Sequence, residues 1–120
     1  MEKVITEATL KKLQEALKEK ELIVLKFTAD WCGPCKNIKD LCLQFNNTKP
    51  ASIQYYEIDI DESIELYMKL KKMKMLNGIP ALFAYKSGSK DLWYIPDDSQ
   101  VGSDRQNVIA FFNRCLNHTL

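Results

Sequence analysis

The chain has 120 residues, 28% of them charged, with 17 lysines and arginines against 16 aspartates and glutamates for a net charge of +1. That length suits one domain, residues 1–120, built on a single core. The mixed, nearly neutral charge argues against a nucleic-acid or membrane-binding surface, and no apolar run approaches the roughly 18 residues of a membrane-spanning helix.

Met1 is followed by Glu2 and Lys3 rather than by an apolar run, so no signal peptide is expected. Val4-Ile5 reads as a short first strand. Thr6 is a helix cap, and Leu10, Leu13, Ala16 and Leu17 mark one face of the helix that follows, which gives out in the polar stretch 18–21. Residues 22–29 are almost continuously apolar, as in a strand covered on both faces. Ile38, Leu41, Cys42 and Phe45 then fall at helical spacing, predicting one helix that runs to about Phe45 and ends in Asn46-Asn47. Ile53, Tyr55, Ile58 and Ile60 read as the next strand. Asp61 is the expected cap of a helix carrying Ile64, Leu66, Leu70 and Met73 and ending at Asn77-Gly78. The lysine-rich stretch 69–74 is broken by Leu70 and Met73, with Met75 just beyond, and reads as a solvated helix face.

Residues 79–85 form a strand that begins near Pro80. A turn over Lys86-Ser87-Gly88-Ser89-Lys90 leads to Leu92-Trp93-Tyr94-Ile95 as the hairpin partner, and Pro96-Asp97-Asp98-Ser99 is a loop. Ser103 followed by Gln106 has the form of a capping box, and Val108, Phe111, Phe112 and Cys115 share one stripe of the last helix. The predicted order is β-α-β-α-β-α-β-β-α, an α/β or α+β pattern.

The chemistry concentrates in Trp31-Cys32-Gly33-Pro34-Cys35-Lys36, where a strand hands over to a helix. A sulfur at a helix N-terminus meets unpaired N–H groups and the positive end of the macrodipole, which favour an anion. The thiolate is the nucleophilic form, and such settings lower a cysteine pKa from about 8.5 into roughly the 3.5–7.5 range. Cys35, one turn on, lies on the same face and can close onto Cys32 as a disulfide. A bare C-x-x-C also fits half a zinc site, but the chain has no second such pair to complete one. Cys42 and Cys115 lie on core stripes and read as small buried hydrophobes. Four cysteines with one close pair fit a reducing, cytosol-like compartment better than a secreted disulfide framework.

The six-residue motif resembles the active-site signature of the thioredoxin family residue for residue. The resemblance covers roughly residues 4–117, and it implies the thioredoxin fold, a central mixed sheet flanked by helices on both faces. It implies a thiol–disulfide oxidoreductase that reduces protein disulfides, with Cys32 as nucleophile, Cys35 as resolving thiol and a Cys32–Cys35 disulfide as product. The cysteine pair is then the redox centre and no metal or nucleotide cofactor is needed. Regeneration by an NADPH-dependent flavoprotein of the thioredoxin reductase kind is expected, and the chain is expected to act as a monomer. Gly78-Ile79-Pro80 resembles the family's second signature, which implies a cis Ile79-Pro80 bond beside the cysteines. Val101-Gly102 resembles a third loop. Trp31, Gly33, Pro34, Ile79, Pro80, Val101 and Gly102 would together form an apolar substrate-binding rim.

Two places depart from the family pattern. Segment 90–100 is longer and more polar than usual and is expected beside the rim. Lys26 stands where the family has a buried aspartate that serves the second cysteine, and the matching place on the next strand is Glu57. A charge-swapped Lys26–Glu57 pair is one expectation, with Glu57 as proton acceptor for Cys35; a Lys26 that reaches solvent without meeting Glu57 is the other. Two further functional readings remain open at this point. One is a docking module whose redox turnover is secondary, and the other is a chain that bridges an iron–sulfur cluster through its exposed cysteines.

Overall fold

The computed structural model describes residues 4–88 and 92–120. Its elements run α1 (Glu7–Glu15), β1 (Leu22–Thr28), α2 (Gly33–Lys36), α3 (Lys39–Thr48), β2 (Ile53–Asp59), α4 (Ile64–Lys72), β3 (Ala81–Lys86), β4 (Asp98–Val101) and α5 (Arg105–His118). The four strands form one mixed sheet in the order β2-β1-β3-β4. β1 and β2 are parallel, while β1–β3 and β3–β4 are antiparallel.

β1 lies at the centre, and residues 22–27 are all buried. Its side chains alternate between two apolar clusters. Ile23, Leu25 and Phe27 pack with Leu10 of α1 and with Leu66 and Leu70 of α4. Leu22 and Val24 pack with Cys42 and Phe45 of α3 and with Val108, Phe111, Phe112 and Cys115 of α5. Phe45 stacks on Phe112 with ring centroids 4.1 Å apart. Helices therefore cover both faces, which is what lets a central strand be apolar throughout.

Several expectations need correction. Val4-Ile5 forms no strand: the Ile5 N–H donates to Ser63 Oγ at 3.0 Å, so a side chain rather than a ladder partner satisfies it. The predicted single helix after the cysteines is two helices, α2 and α3, interrupted at Asn37-Ile38. α4 starts after Ser63 rather than at Asp61 and leaves Ile64 48% exposed. The last helix is capped by Asp104, whose carboxylate accepts from Asn107 N–H, instead of by Ser103.

The hairpin partner of β3 is Asp98–Val101, not residues 92–95. Part of the predicted 86–90 turn lies outside the described residues. Residues 92–95 make a turn in which Trp93 packs against the α1–α4 cluster. Lys11 and Lys69 stand over its ring at 5.5 and 5.8 Å, and its carbonyl accepts from Gln14 Nε2 at 2.9 Å. Lys86, which ends β3, pairs with Leu22 at the start of β1. Asp97 anchors there too, its N–H donating to Ala84 O and its carboxylate accepting from Lys86 N–H. The Trp93 turn therefore closes the end of the sheet away from the cysteines and does not adjoin the rim.

Candidate active site

The cysteines stand just beyond the C-terminal end of β1. In a sheet with parallel strands, that end is where crossover connections open a crevice. Cys32 is the N-cap of α2, with an extended backbone. Pro34 occupies the first turn, where its missing N–H leaves no bond unmade. The Cys32 N–H donates to Ala29 O at 3.1 Å, and the Cys35 N–H donates to Cys32 Sγ at 3.2 Å. Cys32 and Cys35 are joined as a disulfide with Cα atoms 5.4 Å apart. Because α2 is one turn long, the Cys32 sulfur is served by the local Cys35 N–H rather than by the dipole of a ten-residue helix.

The expected rim residues lie on three segments: the cysteine turn itself, the start of β3 and the end of β4. Trp31 is 67% exposed, and its indole Nε1–H donates to Asp61 Oδ2 at 2.8 Å. Gly33 and Pro34 are exposed beside it. Ile79-Pro80 is a cis peptide. The Pro80 carbonyl accepts from Gly102 N–H at 2.9 Å, which draws the start of β3 and the end of β4 together. Gly102 has φ +100°, a backbone that L side chains rarely adopt, and Val101 beside it is 49% exposed.

Beneath the turn, Lys26 pairs with Glu57. They are register partners on the parallel strands β1 and β2, and Lys26 Nζ lies 3.1 Å from Glu57 Oε1. The lysine side chain is 2% exposed and the glutamate 40%, so Lys26 does not snorkel away to solvent; the carboxylate is the member of the pair that reaches water. Both line a cavity of about 130 Å³ together with Thr28, Asp30, Lys36 and Cys35. The cavity puts Cys35 and the ion pair on one solvent-open space large enough for water.

Cys42 and Cys115 are reduced and buried. Burial pushes both thiols up, Cys115 to about 12, so neither carries appreciable thiolate near neutrality. Among the described residues, no group of three or more His, Cys, Asp or Glu is placed to hold a metal. Sequence reasoning missed Asp61 as the partner of Trp31 because its place after a strand also suits a helix cap. It also missed the contact of Arg105 with the end of α2, which spans 68 residues.

Comparison with known proteins agrees with this geometry. The Thioredoxin family model matches residues 4–113. Thioredoxin-1 of Saccharomyces cerevisiae is 29% identical over 82 residues, covering 68% of this chain and 75% of the yeast protein. Thioredoxin of Geodia cydonium is 31% identical over 90 residues, covering 73% and 80%. Fasciola hepatica thioredoxin superposes with a TM-score of 0.67 at 26% identity, covering 89% of this chain and 91% of that one. Plasmodium falciparum thioredoxin reaches 0.70 at 24%, covering 94% and 98%, a likeness of fold. With the cysteine pair at the active-site position, the chain belongs to the thioredoxin family and is a thiol–disulfide oxidoreductase that reduces protein disulfides.

Proposed function

We propose that Cys32 is the nucleophile and Cys35 the resolving thiol. In the dithiol form, the Cys32 thiolate attacks one sulfur of a substrate disulfide. A Cys32–substrate disulfide forms, and the first substrate thiolate leaves and takes a proton from water. Cys35 then loses its proton, attacks Cys32 Sγ and displaces the second substrate thiolate. Two electrons pass to the substrate, and the chain is left with the Cys32–Cys35 disulfide. The observation that carries this reading is Cys32 at the head of α2, its sulfur accepting from Cys35 N–H next to the exposed Trp31.

Glu57 is the proton acceptor for Cys35, through water in the shared cavity, and Lys26 is the positive charge that favours thiolate. Stabilising thiolate stabilises the reduced form, so Lys26 makes the disulfide more oxidising. Lys26→Ala is expected to shift the potential to more negative values and raise the Cys32 titration midpoint. Glu57→Ala is expected to slow resolution of the mixed disulfide. If neither variant changes titration, potential or resolution rate, the pair has no part in the chemistry.

Substrate docks on the rim formed by Trp31, Gly33, Pro34, Ile79, Pro80, Val101 and Gly102, and the Ile79 backbone pairs with an extended segment of it. The cysteine pair is itself the redox cofactor, and an NADPH-dependent flavoprotein regenerates the dithiol. The chain then serves as a monomeric, single-domain carrier of electrons in the redox homeostasis of a reducing, cytoplasmic compartment. No helix among the described residues is long and apolar enough to cross a membrane. Turnover of insulin disulfides with NADPH and a generic thioredoxin reductase tests the cycle. Turnover with dithiothreitol but none with the reductase would reject the proposed recycling partner, and no turnover with either would reject the cycle.

A further inference from the structure

The helix that carries Cys35 stops after one turn, although no proline or glycine occurs anywhere from Cys35 to Thr48. Sharp breaks in helices trace to proline, glycine, a π-bulge or a side chain that enters the hydrogen-bond ladder. The side chain that meets this break is Arg105, the first residue of α5. Its Nη1 donates to the Asn37 carbonyl at 2.7 Å and to Asp40 Oδ1 at 2.8 Å, while Nη2 donates to Asp40 Oδ2 at 2.8 Å. The Asn37 carbonyl is an acceptor left over at the end of α2. Asp40 stands in the first turn of α3, where a carboxylate suits the unpaired N–H groups. One guanidinium thus serves both ends that the break creates.

Arg105 also follows closely on the loop that ends β4. Gly102 N–H is bonded to Pro80 O, and Asp104 caps α5 through Asn107 N–H. The loop is therefore fixed to the cis-proline segment on one side and, through Arg105, to the cysteine-bearing turn on the other. We infer that Arg105 is a positioning residue for disulfide exchange, holding the Cys35 turn in register with the Val101-Gly102 loop so that a protein disulfide docked on the loop meets Cys32 in line. The inference rests on the docking rim proposed above. The side chains of Arg105 and Asp40 are 49% and 66% exposed, so their removal leaves the core intact.

The test compares a protein disulfide, insulin, with hydroxyethyl disulfide, which is too small to span the rim. Arg105→Ala is expected to raise KM for insulin about three- to tenfold with little change in kcat, and to leave the rate with the small disulfide within about twofold. Arg105→Lys keeps the charge but cannot make the three-point contact, so it is expected to behave like the alanine variant. Val101→Asp tests the rim independently. If it raises KM for insulin while Arg105→Ala does not, the rim stands and the role of Arg105 is overturned. If neither variant raises KM, the rim falls and the inference with it. Equal changes for both substrates in Arg105→Ala would also overturn it, since the effect would then lie in the cysteines and not in docking.

Discussion

Trp31 and Trp93 stand at opposite ends of the sheet. Trp31, beside the cysteines, is 67% exposed and is held by one hydrogen bond to Asp61. Trp93, at the far end, packs on the α1–α4 cluster under Lys11 and Lys69 and is tied by its carbonyl to Gln14. Large aromatic side chains supply much apolar surface, whether it is buried in a core or left on the outside. The contrast sets an exposed tryptophan at the cysteine end, where the proposed rim lies, against a packed one at the far end. Changes at the first end are expected to alter exchange without unfolding the chain, and changes at the second to do the reverse.

The largest effect is expected at the cysteines. Cys32→Ser is predicted to lower insulin-disulfide turnover at least about a thousandfold, because the nucleophile is lost. Cys42→Ala and Cys115→Ala should stay within about twofold, since their thiols are buried with raised pKa values. Turnover that survives in Cys32→Ser would end the division. Next, Trp93→Ala is expected to destabilise the chain by about 2–3 kcal/mol, below the range for a fully buried aromatic, with turnover per folded molecule unchanged. Urea unfolding and steady-state kinetics on the same preparation check both halves.

Trp31→Ala is expected to do the opposite: KM for a protein disulfide rises about threefold or more, while the unfolding midpoint barely moves. A large stability loss there would mean that Trp31 belongs to the core. The smallest effect concerns pH. Arg105 holds the Asp40 carboxyl at about 2 against an ordinary 3.8. A depressed carboxyl pKa contributes stability above the unfolded value, and that contribution is lost as pH falls through the folded value. The difference in stability between the natural chain and Arg105→Ala should therefore be present above about pH 4 and fade towards pH 2. A difference that grows on acidification would contradict the pairing.

What could be read from the sequence followed from how local the signal was. The active-site turn is contiguous, so its chemistry and its strand-to-helix setting were both legible. Lys26 and Glu57 lie 31 residues apart, but parallel pairing of two recognisable strands makes them register partners. The break between α2 and α3 was not legible because no proline or glycine marks it, and the Arg105 side chain bonded there comes from the other end of the chain. β4 was missed for a different reason. Residues 98–101, Asp-Ser-Gln-Val, form an edge strand whose exposed positions tolerate polar residues, whereas Leu92-Trp93-Tyr94-Ile95 has the better strand composition. Tertiary packing decided otherwise: the aromatic pair closes the end of the α1–α4 core, with Trp93 and Tyr94 in edge contact at 5.7 Å.

The account turns on Cys32 forming the bond to substrate and Cys35 releasing it. Trapping measures that directly. A Cys35→Ser chain is mixed with a protein disulfide, quenched in acid and digested, and the mixed disulfide is located by mass spectrometry. The account predicts a stable adduct through Cys32, absent from the natural chain because Cys35 resolves it. An adduct through Cys42 or Cys115, or no adduct with turnover intact, would contradict it.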